Sequence, residues 1–259
     1  MKTKIIVMGA CGRMGKTITG LVRADEKLEL VGLVERPDRL ADLGTQDCPT
    51  SDKLDALLAQ TSDVVIIDFT APEASLANAR AAAAHGSALV IGTTGFSEAQ
   101  KEELQALAAK TPIFWAPNMS IGVNVLLKIL PDLTRALGDA YDIEMVEMHH
   151  NKKKDSPSGT ALRLGECLAE ARGWKLPDVV NSHREGIIGA RPQQEIGIQA
   201  VRGGDVVGVH TVYFMGAGER IEVTHQAHSR ENFAQGALRA AAWLHQQPAG
   251  KLYSMQDML

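Results

Sequence analysis

Residues 147–161, EMHHNKKKDSPSGTA, hold the densest chemistry in this chain of 259 residues. They place two adjacent histidines, three consecutive lysines and a Ser-Gly-Thr turn within one loop's length. Imidazole exchanges protons near neutral pH, and lysine supplies a full positive charge. Ser158 is a natural helix N-cap, and the N–H groups of a first helical turn favour an anion. The combination suits an acidic small molecule bound beside a proton-transfer group. A solvated basic loop ahead of a capped helix is the plainer reading, and a lone Lys-Lys-Lys would warrant it. The paired histidines tip the balance.

The elements that position this stretch can be read on either side of it. Apolar Ile143, Met145 and Val146 predict a strand that delivers the histidines. Beyond Pro157, the spacing of Ala161, Leu162, Leu164, Cys167, Leu168 and Ala171 predicts a helix. His149 and His150 are adjacent, so on a strand they point to opposite faces and cannot easily chelate one ion. His225 and His228 have no cysteine or carboxylate partner at metal spacing. No metal site is expected.

The first half reads as a nucleotide fold. The apolar run 4–8 suits a buried parallel strand. It leads into Gly9, Ala10, Cys11, Gly12, Arg13, Met14 and Gly15, then a helical segment to about Ala24. Glycines there permit a tight turn, a close approach to pyrophosphate and tight helix packing. The spacing G-x-x-G-x-x-G is only moderately specific, but a second strand over 28–34 ends at Glu35, placed to accept hydrogen bonds from the adenosine ribose. Arg36 follows and can pair with a ribose 2′-phosphate, which predicts use of both NADH and NADPH. Strands over 63–69, 88–91 and 112–115 alternate with helices over 72–85 and 97–109, as in a doubly wound parallel sheet. Ligands of such sheets sit beyond the carboxyl ends of the strands. Gly92, Thr93 and Thr94, and Ala116, Pro117, Asn118 and Met119, fall at such ends and read as cofactor contacts.

The second half has a different pattern. A helix interrupted by Pro131 is expected over 122–137. Runs over 195–201, 206–214 and 220–227, separated by glycine turns, read as antiparallel hairpins. The expected class is therefore α/β, with an N-terminal Rossmann-like doubly wound parallel sheet and a second α+β domain. Residues 1–121, completed by 230–259, form the dinucleotide-binding domain, and 122–229 the substrate-binding and oligomerisation domain. A net charge of −4 argues against a nucleic-acid partner. The three cysteines fit no disulfide or zinc spacing, which suits a reducing cytoplasm. No apolar run is long enough for a membrane span.

GACGRMG at 9–15, the Glu35-Arg36 pair, GTTG at 92–95, APNMSIGVN at 116–124 and the 147–161 stretch together resemble 4-hydroxy-tetrahydrodipicolinate reductase, long called dihydrodipicolinate reductase. The resemblance covers essentially the whole chain, and H-H-x-x-K-x-D-x-P-S-G-T is its most specific part. It implies reduction of a cyclic dicarboxylate by NADH or NADPH, with loss of water, in diaminopimelate and lysine biosynthesis. It places the proton-transfer histidine on His149, the catalytic lysine on Lys153, and substrate contacts on His150, Gly159 and Thr160. It also implies a cytoplasmic homotetramer. Cys11 stands where glycine or alanine is usual, Ser156 replaces a common alanine, and Lys154 adds a charge beside Lys153. Another two-domain NAD(P)-dependent dehydrogenase of a small amino or dicarboxylic acid would share the nucleotide half without needing the histidine-lysine motif. A non-catalytic nucleotide sensor would leave that motif unused.

Overall fold

The computed structural model describes residues 2–259. In chain order, β1 (Thr3–Met8), α1 (Arg13–Ala24), β2 (Leu28–Val34), β3 (Thr50–Ser51), α2 (Leu54–Leu58), β4 (Val64–Asp68), α3 (Pro72–His85), β5 (Ala88–Ile91), α4 (Glu98–Ala108) and β6 (Ile113–Trp115) alternate strand and helix. Next come α5 (Ile121–Leu137), β7 (Asp142–His149), α6 (Gly159–Ala171), α7 (Leu176–Val179), β8 (Val180–Asn181), β9 (Ile196–Arg202), β10 (Gly208–Gly216) and β11 (Glu219–Ala227). Then α8 (Glu231–Leu244), β12 (Leu252–Tyr253) and α9 (Met255–Met258) follow. The chain forms two compact units. One is the chain up to Ile121 with Glu231–Leu259; the other is Gly122–Arg230.

The first unit is built on a seven-stranded sheet ordered β12-β6-β5-β4-β1-β2-β3, parallel throughout. Its strands are nearly continuous apolar runs because both faces are covered. Alternation splits them between two cores. Ile5, Val7, Val65, Ile67 and Val90 pack with α1 and α8, while Ile6, Ile66, Leu89 and Ile91 pack with α2, α3 and α4. Each such side chain contributes roughly 1.5–3 kcal/mol by burial, so the alternation fixes which face every strand presents. Ser97 caps α4 through a reciprocal pair of bonds with Gln100, at 3.3 and 2.9 Å.

The second unit holds a five-stranded sheet ordered β11-β10-β7-β9-β8. The glycine-separated runs predict consecutive hairpins, and among the described residues only β10–β11 is one. β9 lies parallel to β7, and β10 lies antiparallel to β7 on its other side. The glycine turn at 203–205 does not close a hairpin; it carries the chain across the end of β7. Three bonds hold this crossing: Gly203 N–H to the His149 carbonyl at 3.0 Å, Asn151 N–H to Gly204 at 3.2 Å and His150 N–H to Val206 at 2.8 Å. One face of the sheet packs on α5 and α6 through Ile143, Met145, Ile198, Val212 and Phe214.

Pro131 does not interrupt α5. A proline inside a helix frees the carbonyl four residues earlier, here Leu127. That oxygen accepts from the Cys167 thiol at 3.4 Å, so the lost helical bond is replaced by one from α6. Among the described residues, no helix is long and apolar enough to cross a membrane.

Candidate active site

In the first unit, the candidate site lies at the carboxyl edge of the parallel sheet. β1 ends at Met8 and turns at Gly9, whose φ of +61° is in the left-handed region. Any Cβ on Gly15 would collide with the Gly9 carbonyl, and one on Gly12 would stand 3.0 Å from it. The turn is therefore a cradle of bare backbone, closed by the Gly12 N–H bond to Gly9 at 2.9 Å. Glu35 follows β2 and is buried, and its carboxylate accepts from the Cys11 N–H at 2.8 Å and the Arg36 N–H at 2.9 Å. It braces the glycine turn from the neighbouring strand. A carboxylate offers about four acceptor positions, so capacity for a ribose remains. Arg36 is exposed, paired with Asp38 at 3.2 Å, and Arg13 is an exposed residue at the start of α1. The Cys11 thiol is pushed up by burial and points to the Arg39 carbonyl.

The turns after β5 and β6 share that edge. A side chain at Gly92 would run into the Phe69 ring. Thr93 is buried with its hydroxyl 2.7 Å from Ser75, and its carbonyl accepts from the Trp115 indole at 3.0 Å. Ala116 N–H donates to the Ile91 carbonyl at 3.1 Å, tying the two turns together. Met119 is buried, and Asn118 Oδ1 accepts from the Ser120 N–H at 2.9 Å. Thr94 and Pro117 are exposed. A glycine cradle, a buried acceptor and an exposed guanidinium on one strand edge fit a dinucleotide.

The second unit gathers titratable side chains at one end of β7. Strand alternation puts Glu147 and His149 on the same buried face of β7. Glu147 Oε2 lies 2.6 Å from His149 Nδ1. Arg202, at the end of β9, forks onto the same carboxylate at 2.8 and 2.7 Å, and the Ser158 N–H reaches Oε1 at 3.0 Å. Burial alone would raise the Glu147 carboxyl; these bonds outweigh it and hold it below the usual glutamate range. Burial pushes the His149 imidazole below its ordinary range, against the upward pull of Glu147, with Lys153 and Arg202 adding to the depression. Among the described residues, His149 Nε2 takes no hydrogen bond.

Ser158 caps α6, its hydroxyl accepting from the Ala161 N–H at 3.2 Å. His210 of β10 meets that hydroxyl at 3.0 Å and stands edge-on to the His149 ring, centroids 5.1 Å apart. Lys153 is the half-buried member of the lysine run, its ammonium 3.0 Å from Asp155; Lys152 and Lys154 are exposed. His150 stands just beyond the strand, its Nδ1 accepting from the Lys152 N–H at 3.2 Å. Gly159 and Thr160 open the first turn of α6.

Sequence reasoning therefore named residues that the second unit does gather at one end of β7. It missed Arg202, His210 and Gly208, the last so close that a Cβ on it would stand 3.0 Å from His149 Nε2. These come from strands more than fifty residues downstream, and no local pattern marks them. Glu147 was legible in principle, since a residue two before His149 on a strand shares its face.

A strand edge shaped for a dinucleotide in one unit, with buried titratable side chains gathered in the other, fits an NAD(P)H-dependent oxidoreductase of two units. Known relatives narrow the class. The family model "Dihydrodipicolinate reductase, N-terminus" matches residues 3–119, and "Dihydrodipicolinate reductase, C-terminus" matches 122–259. The chain belongs to the dihydrodipicolinate reductase family. It is 69% identical over 258 residues to a 4-hydroxy-tetrahydrodipicolinate reductase of Desulfovibrio desulfuricans, covering 100% of both chains. A protein of the same name from Syntrophotalea carbinolica is 48% identical, covering 99% of this chain and 98% of its own. Among solved structures, a dipicolinate-bound dihydrodipicolinate reductase from Paenisporosarcina sp. TG-14 superposes with a TM-score of 0.81 at 25% identity, covering 100% of both chains.

Proposed function

We propose that the chain reduces 4-hydroxy-tetrahydrodipicolinate to tetrahydrodipicolinate with NADH or NADPH and release of water, as a step of diaminopimelate and lysine biosynthesis. The observation that carries this reading is the end of β7. There His149 presents an Nε2 unpartnered among the described residues, while the Lys153 ammonium and the α6 N-terminus flank the same loop.

Backbone N–H groups of Gly9, Ala10, Cys11, Gly12, Arg13 and Met14 hold the pyrophosphate. Glu35 takes the adenosine ribose, and Arg36, helped by Arg13, takes a 2′-phosphate where present. The turns Gly92, Thr93, Thr94 and Ala116, Pro117, Asn118, Met119 line the rest of the cofactor. Reduced nicotinamide, when bound, supplies a hydride.

Exchanging a ring hydroxyl for that hydrogen releases water and consumes one further proton, which the second unit delivers. His149 exchanges it at Nε2, because Nδ1 is committed to Glu147. Lys153 leaves Asp155 to donate to the ring nitrogen or hold a carboxylate. Gly159 and Thr160 receive a carboxylate at the α6 N-terminus, aided by His150. Positive groups placed where electron density accumulates lower the barrier without reorganising water.

The working form is a cytoplasmic homotetramer associated through the second unit's sheet. Exposed Met148, Val201 and Met215 on that sheet support this. Light scattering reporting a mass of one chain would refute the tetramer.

The deciding assay follows loss of nicotinamide absorbance with substrate made freshly from pyruvate and aspartate semialdehyde. Turnover is expected with both cofactors. No turnover with either sinks the assignment.

A further inference from the structure

Glu147 is fully buried, yet one carboxylate there joins three other parts of the second unit. It takes the His149 ring on its own strand, the Arg202 guanidinium of β9, and the first backbone N–H ahead of α6. None of these roles belongs to proton transfer itself. Building on the reading of His149 as the proton-transfer group, we propose that Glu147 and Arg202 form a coupled positioning pair. Glu147 fixes the His149 tautomer with its hydrogen on Nδ1, and Arg202 cancels the carboxylate charge so that the ring is oriented without being charged.

An ionised carboxylate only accepts, so the imidazole nitrogen 2.6 Å away must carry the hydrogen. The neutral ring then shows a bare Nε2. A buried carboxylate alone would favour the doubly protonated ring, because an opposite charge at that range stabilises the charged form. The two-pronged contact from Arg202 offsets this, in the geometry that suits guanidinium and carboxylate best. Of the other groups facing the ring, Lys153 approaches from the loop and opposes a positive charge on it, while His210 of β10 is kept neutral by burial. Glu147 is the acid that faces it. The same Oε1 also receives the Ser158 N–H, so the ring and the start of α6 share one brace. Disturbing Glu147 therefore lowers kcat and raises substrate KM together.

The test is an NMR titration of the full chain with labelled imidazole nitrogens, without substrate. Wild-type His149 is expected to carry hydrogen on Nδ1 with Nε2 unprotonated near neutral pH. Arg202→Gln should raise the His149 midpoint by about one pH unit or more, and Glu147→Gln should lower it. Arg202→Lys, which keeps the charge, should stay near the wild type. The acid limb of the kcat/KM profile should move with each midpoint. An Nε2-protonated tautomer in the wild type overturns the proposal, as do midpoints that move together or not at all. If a variant does not fold, the wild-type tautomer decides alone. Because the titration needs no substrate, it stands apart from success or failure of the turnover assay.

Discussion

Gly208, the first residue of β10, faces the bare nitrogen of His149. A Cβ built there stands 3.0 Å from Nε2 and 3.4 Å from Cδ2. Ordinary non-bonded contact begins at roughly 3.5 Å, so in Gly208→Ala the ring must retreat by about half an ångström or remain blocked. It has little room to retreat, because Nδ1 is pinned at 2.6 Å to a carboxylate that Arg202 and Ser158 hold in turn. Proton transfer works over a window of about 2.6–3.2 Å, and a misplacement of about 1 Å costs about 10²-fold in rate, so one of half that size costs about tenfold. We therefore expect kcat to fall about tenfold, or roughly 1.4 kcal/mol of barrier. Stability should change little. Gly208 is not among the positive-φ glycines, and Gly→Ala at a compatible site gains about 0.4–1 kcal/mol through the unfolded chain. Initial rates, cofactor Kd by fluorescence and the melting temperature separate these effects. A variant with wild-type kcat, or one that loses cofactor affinity instead, would show that Nε2 is not the working atom.

Arg36→Ala should weaken NADPH about ten- to a hundredfold while leaving NADH nearly unchanged, since a charge-assisted pair is worth roughly 1.5–3 kcal/mol. Equal losses for the two cofactors in a binding titration would dissociate Arg36 from the 2′-phosphate. Lys153→Ala should cut kcat by about 10²–10⁴-fold and raise substrate KM, whereas exposed Lys152→Ala and Lys154→Ala should do much less. Steady-state kinetics in which Lys154→Ala is the crippling change would move the catalytic role one residue along. Burial pushes the His210 imidazole down from 6.5 to about 4, so across that window the unfolded chain binds a proton that the folded chain does not. Its contribution is complete above pH 6.5 and lost as the pH falls toward 4, roughly 3 kcal/mol in all. His210→Gln should flatten the fall in melting temperature over that range. An unchanged slope would assign the acid sensitivity elsewhere.

The nucleotide half was legible because each of its signals is local. A strand, a glycine turn and a helix follow one another within about twenty-five residues, and apolar runs mark strands buried on both faces. Pro72 and Ser97 announced their helices for the same reason. The second sheet was harder, since a glycine turn such as 203–205 looks alike whether it closes a hairpin or crosses a strand end. What decided it was the pairing of β9 with β7, a contact across some fifty residues that no window contains. The His149 surroundings failed to show for that reason too: Arg202, Gly208 and His210 arrive on neighbouring strands. Pro131 misled differently, because the compensating donor, Cys167, lies in another helix.

The interrupted path of the first unit bears on how the chain is made. Residues 122–230 are contiguous and leave the ribosome as a complete piece, while the parallel sheet begun at β1 still lacks a layer. That layer is completed by α8, whose Ala234, Ala237, Leu238, Ala241 and Leu244 seal the core over β4, β5 and β6. β12, the strand that extends the sheet beyond β6, comes later still. At about 5–20 residues per second, six finished strands wait on the order of ten seconds for α8 to be synthesised. During that interval α1 alone covers this face, and Val65, Ile67 and Val90 lack the helix that completes their cover, which makes the nascent chain a client for chaperones that hold apolar surface.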